Sequence, residues 1–361
     1  MPFMGKAAAN ANYGGQAVLE GVMIRGPRSL AVAVRRIDGR IVLKREPLVP
    51  LTRRHPLLNL PFLRGAFALV DALLTGMRAL RFSADVAMEE ENERLAQARA
   101  AVEAPPAGED AAERPGEEPG NRLPLITHPS PPDARAEVEV REVAAGQGIP
   151  TWSLVPTMLL TFAIVAVVFI AVPDALANVL RGPLPPGRAA NALINLVEGL
   201  VRIGFFVAYI LAISRMEVIG RVFQYHGAEH QVIYAFENGD PVTPAAARRY
   251  DTAHPRCGTS FVAVVVLVSI LAFSFLDIEA LPLRLLAKLA LLPVIGGLSY
   301  EVIRLAGAGR LTFLVLPGLW LQRLTTRRPD AEQLAVAIAA LEGALEQEGR
   351  SLHRAAEATG D

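Results

Sequence analysis

The chain has a single cysteine, Cys257, which excludes an intrachain disulfide and with it the class of stapled secreted scaffolds. It also lacks net charge: 36 Lys and Arg balance 36 Asp and Glu, so no global field draws in nucleic acid or an anionic substrate. The opening stretch MPFMGKAAANANYGGQ has no apolar h-region, so no cleavable secretory signal is expected. Apolar surface, by contrast, is abundant. The 361 residues are 52% hydrophobic with a mean hydropathy of +0.33, high for a soluble protein. That length allows one large domain or two modest ones, and the composition makes a membrane protein the expected class.

The neutral sum hides a split. Between Glu89 and Pro150 there are 14 acidic and 6 basic residues, leaving 30 basic against 22 acidic elsewhere. This segment contains APPAGEDAAERPGEEPG and PSPPD, too poor in apolar side chains to offset the entropy of ordering, and reads as a disordered acidic linker. Four apolar stretches follow. Thr151–Val172 is 22 residues without a charge, about 33 Å as a helix, enough to cross a hydrocarbon core of ~30 Å. Ala189–Ser214 is interrupted only by Glu198 and Arg202, four apart and able to pair. Cys257–Leu276 is uncharged, and Leu281–Ile303 carries only Arg284, Lys288 and Glu301, the first two placed to snorkel to one interface. Arginines concentrate in Arg215–Thr259 and Arg304–Asp330, which puts both segments, and both termini, on the cytoplasmic side.

Before the linker, Gln16–Arg45 alternates like strands, and LAVAVRRIDGRIVLKRE reads as a hairpin with a type I′ turn at Asp38-Gly39. Leu57–Ser83, with Arg64, Asp71, Arg78 and Arg81 spaced along it, suits an interfacial or bundle-packed helix. LTFLVLPGLWLQRL, broken at Pro317-Gly318, suits the membrane interface. Asp330, with Gln333 in the capping-box position, starts a helix striped by Leu334, Ile338, Leu341 and Leu345. The expected fold is mainly α: a polytopic membrane helical bundle of about four transmembrane helices, a small N-terminal β-hairpin-containing module and interfacial amphipathic helices. Its expected units are residues 1–88, the linker 89–150, the membrane domain 151–328 and a C-terminal helix and tail 329–361.

Three of six histidines fall together: His226, His230 and His254. Tyr225-His226-Gly227-Ala228-Glu229-His230 contains H-x-x-E-H, the order of the inverzincin signature, a likeness confined to these five residues. On a helix His226 and His230 share one face and can share a metal, with Glu229 beside them as general base. His254 and Cys257, in HPRCGTS, lie where the third span leaves the cytoplasm, and Glu301 at the cytoplasmic end of the fourth. Topology thus gathers five donor-capable groups at one depth, with zinc as the expected metal. His226 and His230 are the favoured ligands, with Glu301 or Cys257 third. A local Glu301–Arg304 ion pair and a structural Glu198–Arg202 pair are the plainer readings. The block Tyr13–Pro27 is rich in glycine but lacks nucleotide-loop spacing; its Glu20 and Arg25 reach toward the metal region or belong to an ordinary strand and turn.

GGQAVLEGVMIRGP, FQYHGAEHQVIYAFE, HPRCGTSF and PGLWLQRLTTRRPDAEQLAVAIAAL together resemble the YqhQ-like family of bacterial inner-membrane proteins. The resemblance covers nearly the whole chain apart from the linker. It implies a multipass bacterial membrane protein, catalogued as a predicted metal-dependent enzyme, with His226, Glu229, His230, His254 and Cys257 at the motif positions. The leading functional expectation is a membrane-embedded zinc-dependent hydrolase acting at the cytoplasmic face. The alternatives are a membrane assembly or scaffold protein with a structural metal, and an ion or metal transporter resting on Glu198 and Arg202. Expected partners are membrane lipids, other membrane proteins or a second copy of the chain, and not nucleic acid.

Overall fold

The structure, a computed structural model, describes residues 13–49, 63–103, 138–140, 155–179, 187–255, 257–276, 278, 280–307 and 312–350. A five-stranded sheet opens the fold: β1 (Gly14–Val18), β2 (Gly21–Arg25), β3 (Ser29–Arg35), β4 (Ile41–Pro47) and β5 (Val138–Val140), in that spatial order. Neighbours are antiparallel except β4 and β5, which run parallel. The sheet is thus larger than one hairpin, and β5 comes from the stretch expected to be a disordered linker.

Both faces of the sheet are covered. Val22, Ile24, Ala31, Ala33, Ile41 and Leu43 pack on one side with Val232 and Phe236 of α5 (Glu217–Glu237) and Leu334, Leu341 and Leu345 of α10 (Ala331–Gln347). The intervening Met23, Leu30, Val32, Val34 and Val42 pack on the other with Ala79, Phe82 and Val86 of α1 (Leu63–Glu103). Neighbouring residues point to opposite faces, so a strand buried on both reads as a nearly unbroken apolar run. Each large apolar side chain removed from water contributes roughly 1.5–3 kcal/mol. The turn between β3 and β4 is not type I′. Asp38 keeps a negative φ, the Gly39 N–H donates to the Arg36 carbonyl, and Gly39 alone is left-handed at φ +89°. That is the pattern of a longer loop closed by a glycine.

α1 is a single helix of 41 residues, about 60 Å long, so the domain boundary expected at residue 88 falls inside it. Asp71 takes an ion pair from Arg25 at 2.6 Å, and Arg36, at the end of β3, engages Glu90 and Glu93 farther along. At its start Arg64 forks onto both carboxylate oxygens of Glu301, each at 2.6 Å, and joins α1 to α8 (Leu281–Gly307). Of the acidic segment from residue 89, the structure describes this helical continuation and β5.

Among the described residues, three helical stretches are long and apolar enough to cross a membrane: Leu159–Ala177, Leu193–Ile213 and Leu281–Ala306. The first joins α2 (Val155–Ala166) to α3 (Val172–Val179) through a π-turn at Val167–Ala171, which ends two residues before Pro173, whose ring leaves no N–H to donate. The second lies within α4 (Arg188–Ile213) and the third within α8. The remaining apolar stretch forms α7 (Gly258–Ser274), 17 residues and about 25 Å, shorter than expected. The short α6 (Pro244–Ala247) and α9 (Leu316–Thr325) complete the set, with Trp320 exposed on α9. The Asp330–Gln333 capping box opens α10 as its sequence requires.

Charge inside the bundle is organised differently from the snorkelling expected of Arg284 and Lys288. Lys288 is 0% exposed and contacts Asp174 at 2.5 Å and both Glu198 oxygens at 2.7 Å. Arg284 forks onto Asp174 at 2.9 and 2.6 Å, while Arg202 reaches Glu198 at 2.5 Å and the Phe169 carbonyl at 2.8 Å. Snorkelling loses because carboxylates on α3 and α4 meet these cations inside the protein. Glu198→Ala strips one partner from both Arg202 and Lys288. It should cost about 3–5 kcal/mol, read as a lowered unfolding midpoint in detergent.

Candidate metal centre

Helix α5 carries the H-x-x-E-H sequence, so His226 and His230 lie one turn apart with ring centroids 4.4 Å from each other. Cys257 is the N-cap of α7, its sulfur accepting from the Thr259 N–H at 3.4 Å. One ligand atom from each of His226, His230 and Cys257 falls within 4.8 Å of the others.

The orientation of the rings is set by backbone. His226 Nδ1 meets the Thr325 carbonyl at 2.9 Å and His230 Nδ1 meets the Thr252 carbonyl at 2.5 Å. A carbonyl only accepts, so both rings carry their proton on Nδ1 and present an Nε2 lone pair. The Cys257 thiol has one proton, and its sulfur lies 3.1 Å from His226 Nε2. His230 Nε2 is buried without a hydrogen-bond partner. Such an orphan costs about 1–3 kcal/mol. Two imidazole lone pairs and a thiol that becomes a thiolate form a donor set that fits a divalent metal, with each ring steadied by the main-chain carbonyl on its Nδ1.

Glu229, between the two histidines in sequence, lies beside this trio. It is only 5% exposed, its carboxylate lies against Gly15, and Oε2 is buried without a hydrogen-bond partner. Burial pushes its carboxyl above the usual range, against the opposing pull of His226, His254 and the Gly15 amide. Burial likewise holds the His230 imidazole below its ordinary value.

His254 and Glu301 stand outside the trio. The His254 ring packs edge-on against Tyr234 at 4.4 Å, and its Nε2 lies 3.4 Å from a Glu237 oxygen. Gln322 of α9 fixes the His254 backbone from both sides, accepting its N–H at 2.7 Å and donating to its carbonyl at 2.9 Å. Glu301 is held by Arg64 and, at 3.7 Å, by Arg304, so its carboxylate is committed to the α1–α8 junction. Arg25 is committed to Asp71. Glu20 forks onto Arg221 and meets the Tyr225 hydroxyl at 3.3 Å, one residue before His226. Sequence reasoning passed over Gln322 and Gly15. Gln322 announces itself only as an amide in an apolar run; Gly15 only as half of a glycine pair.

Known proteins similar to this chain place it in a family. A family model described as "Protein of unknown function (DUF1385)" matches residues 60–347. The chain belongs to this family. It is 34% identical over 336 residues to "Uncharacterized protein YqhQ" of Bacillus subtilis (strain 168), covering 90% of each chain. No solved structure matches. The clustered His226, His230 and Cys257 all lie within the matched region, and Gly15, which touches Glu229, lies before it.

Burial lowers the His254 pKa from 6.5 to about 4. The unfolded chain therefore takes up a proton that the folded chain refuses, and stability from this group falls as pH drops from 6.5 toward 4. Thermal midpoints measured in detergent between about pH 7 and pH 5 should show a decline that is shallower in His254→Gln.

Proposed function

We propose that His226, His230 and Cys257 hold a divalent metal, zinc by the softness of thiolate and imidazole, and that the chain is a metal-dependent hydrolase of the bacterial inner membrane. The observation that carries this reading is the convergence of three ligand atoms beside a buried carboxylate, Glu229, with one oxygen unpaired. Three protein ligands are the complement of a catalytic zinc site, whereas structural sites close at four. A bound zinc supplies Lewis acidity and lowers the pKa of water toward 7. Glu229 then acts as general base, taking a proton from the water that attacks an amide or ester. Its raised pKa brings it nearer the range in which a base works well at neutral pH.

The arginine-rich segments Arg215–Thr259 and Arg304–Asp330 flank the centre, which supports a cytoplasmic location for it and for both termini. α7 serves as a fourth crossing in this reading. Its first turn lies in the centre, and its last residue, Ser274, accepts at 3.4 Å from Asn195, near the far end of α4. Its 17 residues then need a locally thinner bilayer.

A second reading keeps the metal and drops the chemistry. Cys257 and the Thr325 carbonyl belong to α7 and α9, so the same ligands would clamp α5 to the bundle of a scaffold protein. Metal analysis of the detergent-purified protein should find about one zinc per chain, lost in His230→Ala and Cys257→Ala and kept in Glu229→Gln. With cobalt in place of zinc, a thiolate charge-transfer band should appear and the visible bands should shift on adding azide. A spectrum indifferent to azide favours the clamp. Failure of the wild-type protein to bind either metal overturns both readings.

A further inference from the structure

The strand preceding the family-matched region has an amide placed where the candidate base needs one. β1 is the edge of the sheet, and its hairpin with β2 pairs Val18 with Gly21 across the two-residue turn Leu19–Glu20. In such a hairpin the pair flanking the turn exchanges both hydrogen bonds, and bonded and non-bonded pairs then alternate. Val18, Gln16 and Gly14 therefore bond to β2, while the N–H groups of Ala17 and Gly15 face outward along the free edge. An edge N–H is a donor in need of an acceptor. α5 lies along this edge, with the Glu229 carboxylate against Gly15. Glu229 Oε2 is buried without a hydrogen-bond partner.

The residue at position 15 has to be glycine. A Cβ there would collide with the Met23 carbonyl and stand 3.1 Å from Glu229 Cδ, whereas a Cβ at Gly14 would meet nothing within 4 Å. The hairpin is also held at its other end. Glu20 adopts a left-handed conformation, φ +49°, which a non-glycine residue holds only where its surroundings impose it. Its carboxylate is engaged there by Arg221 and Tyr225, both on α5, within two turns of His226 and Glu229. Tyr13 packs edge-on against Phe236 of the same helix, 5.4 Å between ring centroids. Gly15 thus lies between two anchors on the helix that bears the site.

We infer that Gly15 is a positioning residue: its backbone N–H, at the open edge of the sheet, fixes one oxygen of Glu229 and leaves the other free beside the His226–His230–Cys257 centre. The catalytic purpose of this contact rests on the metal-dependent reading, but the contact itself does not. Hydrogen exchange at single-residue resolution on the metal-free full-length protein decides the contact. In Glu229→Ala the Gly15 amide should exchange roughly tenfold faster or more, with Gln16 and Val18 unchanged, because only Gly15 loses its acceptor. In Glu229→Gln protection should return, since the amide oxygen accepts in place of the carboxylate. Equal protection in all three proteins, or simultaneous loss at Gln16 and Val18, would overturn the inference. In cobalt-loaded protein Gly15→Ala should change the visible spectrum and its response to azide as Glu229→Ala does, and Gly14→Ala should change neither. Spectra of Gly15→Ala that match the wild type would sink the positioning role. Absence of cobalt binding would instead fall on the metal reading, and the exchange comparison would still stand.

Discussion

The centre depends on two hydrogen bonds in which an imidazole Nδ1–H donates to a main-chain carbonyl. They fix the tautomer and turn both Nε2 lone pairs toward the same thiol. Their source follows from helix geometry. The last carbonyls of a helix have no intrahelical N–H, and α9 ends at Thr325, after which Thr326 is extended. His226 takes up one of those orphan carbonyls. Cys257 sits in the complementary position, at the N-cap of α7, where sulfur accepts the orphan Thr259 N–H. The site is therefore assembled from two helix ends set against the middle of a third helix, and each end gains a partner by taking part.

Helix α5 is fixed from the other side by the sheet. Its apolar residues Val232 and Phe236 enter the core shared with α10, and Tyr225 enters the same core while its hydroxyl meets Glu20. Burying this helix on the sheet is favourable, but it also buries Glu229, whose ionised form resists desolvation. The edge amide of Gly15 supplies part of the compensation that water would otherwise give. A buried carboxyl thus lies beside the donor trio, with an open sheet edge alongside.

Much of this was legible in the sequence, to the extent that the interactions are local. The i, i+4 spacing of His226 and His230, the Asp330–Gln333 capping box and the Glu198–Arg202 pair all follow from helical periodicity. Cys257 follows from the order of apolar segments. Glu301 was misplaced because its dominant partner, Arg64, lies 237 positions away in sequence, and only Arg304 was visible nearby. Arg284 and Lys288 read as snorkelling side chains for the same reason, since Asp174 and Glu198 sit on other helices. The burial of β2 and β3 on both faces was not legible, because α1 covers the face that an antiparallel sheet usually gives to water. Gly15 was legible only as part of a glycine-rich block open to close backbone approach, as a donor on the main chain has no signature in residue type.

α7 ties the centre to the charged cluster at the other side of the bundle. Cys257 caps its first turn, and near its last turn the Phe273 ring lies 5.1 Å from the Arg202 guanidinium and 5.5 Å from the Lys288 ammonium. Cations over a ring face attract it, more strongly where water is excluded, so the cluster holds the far end of the helix. Gln322 holds the near end through the Ser260 hydroxyl at 2.7 Å and the His254 backbone. A helix with i→i−4 bonds along its length resists stretching and shear, so fixing both ends fixes the height of the sulfur against His226 and His230. The ionic cluster, far along α7 from the trio, thereby helps set the spacing of three ligand atoms that share no sequence neighbourhood with it.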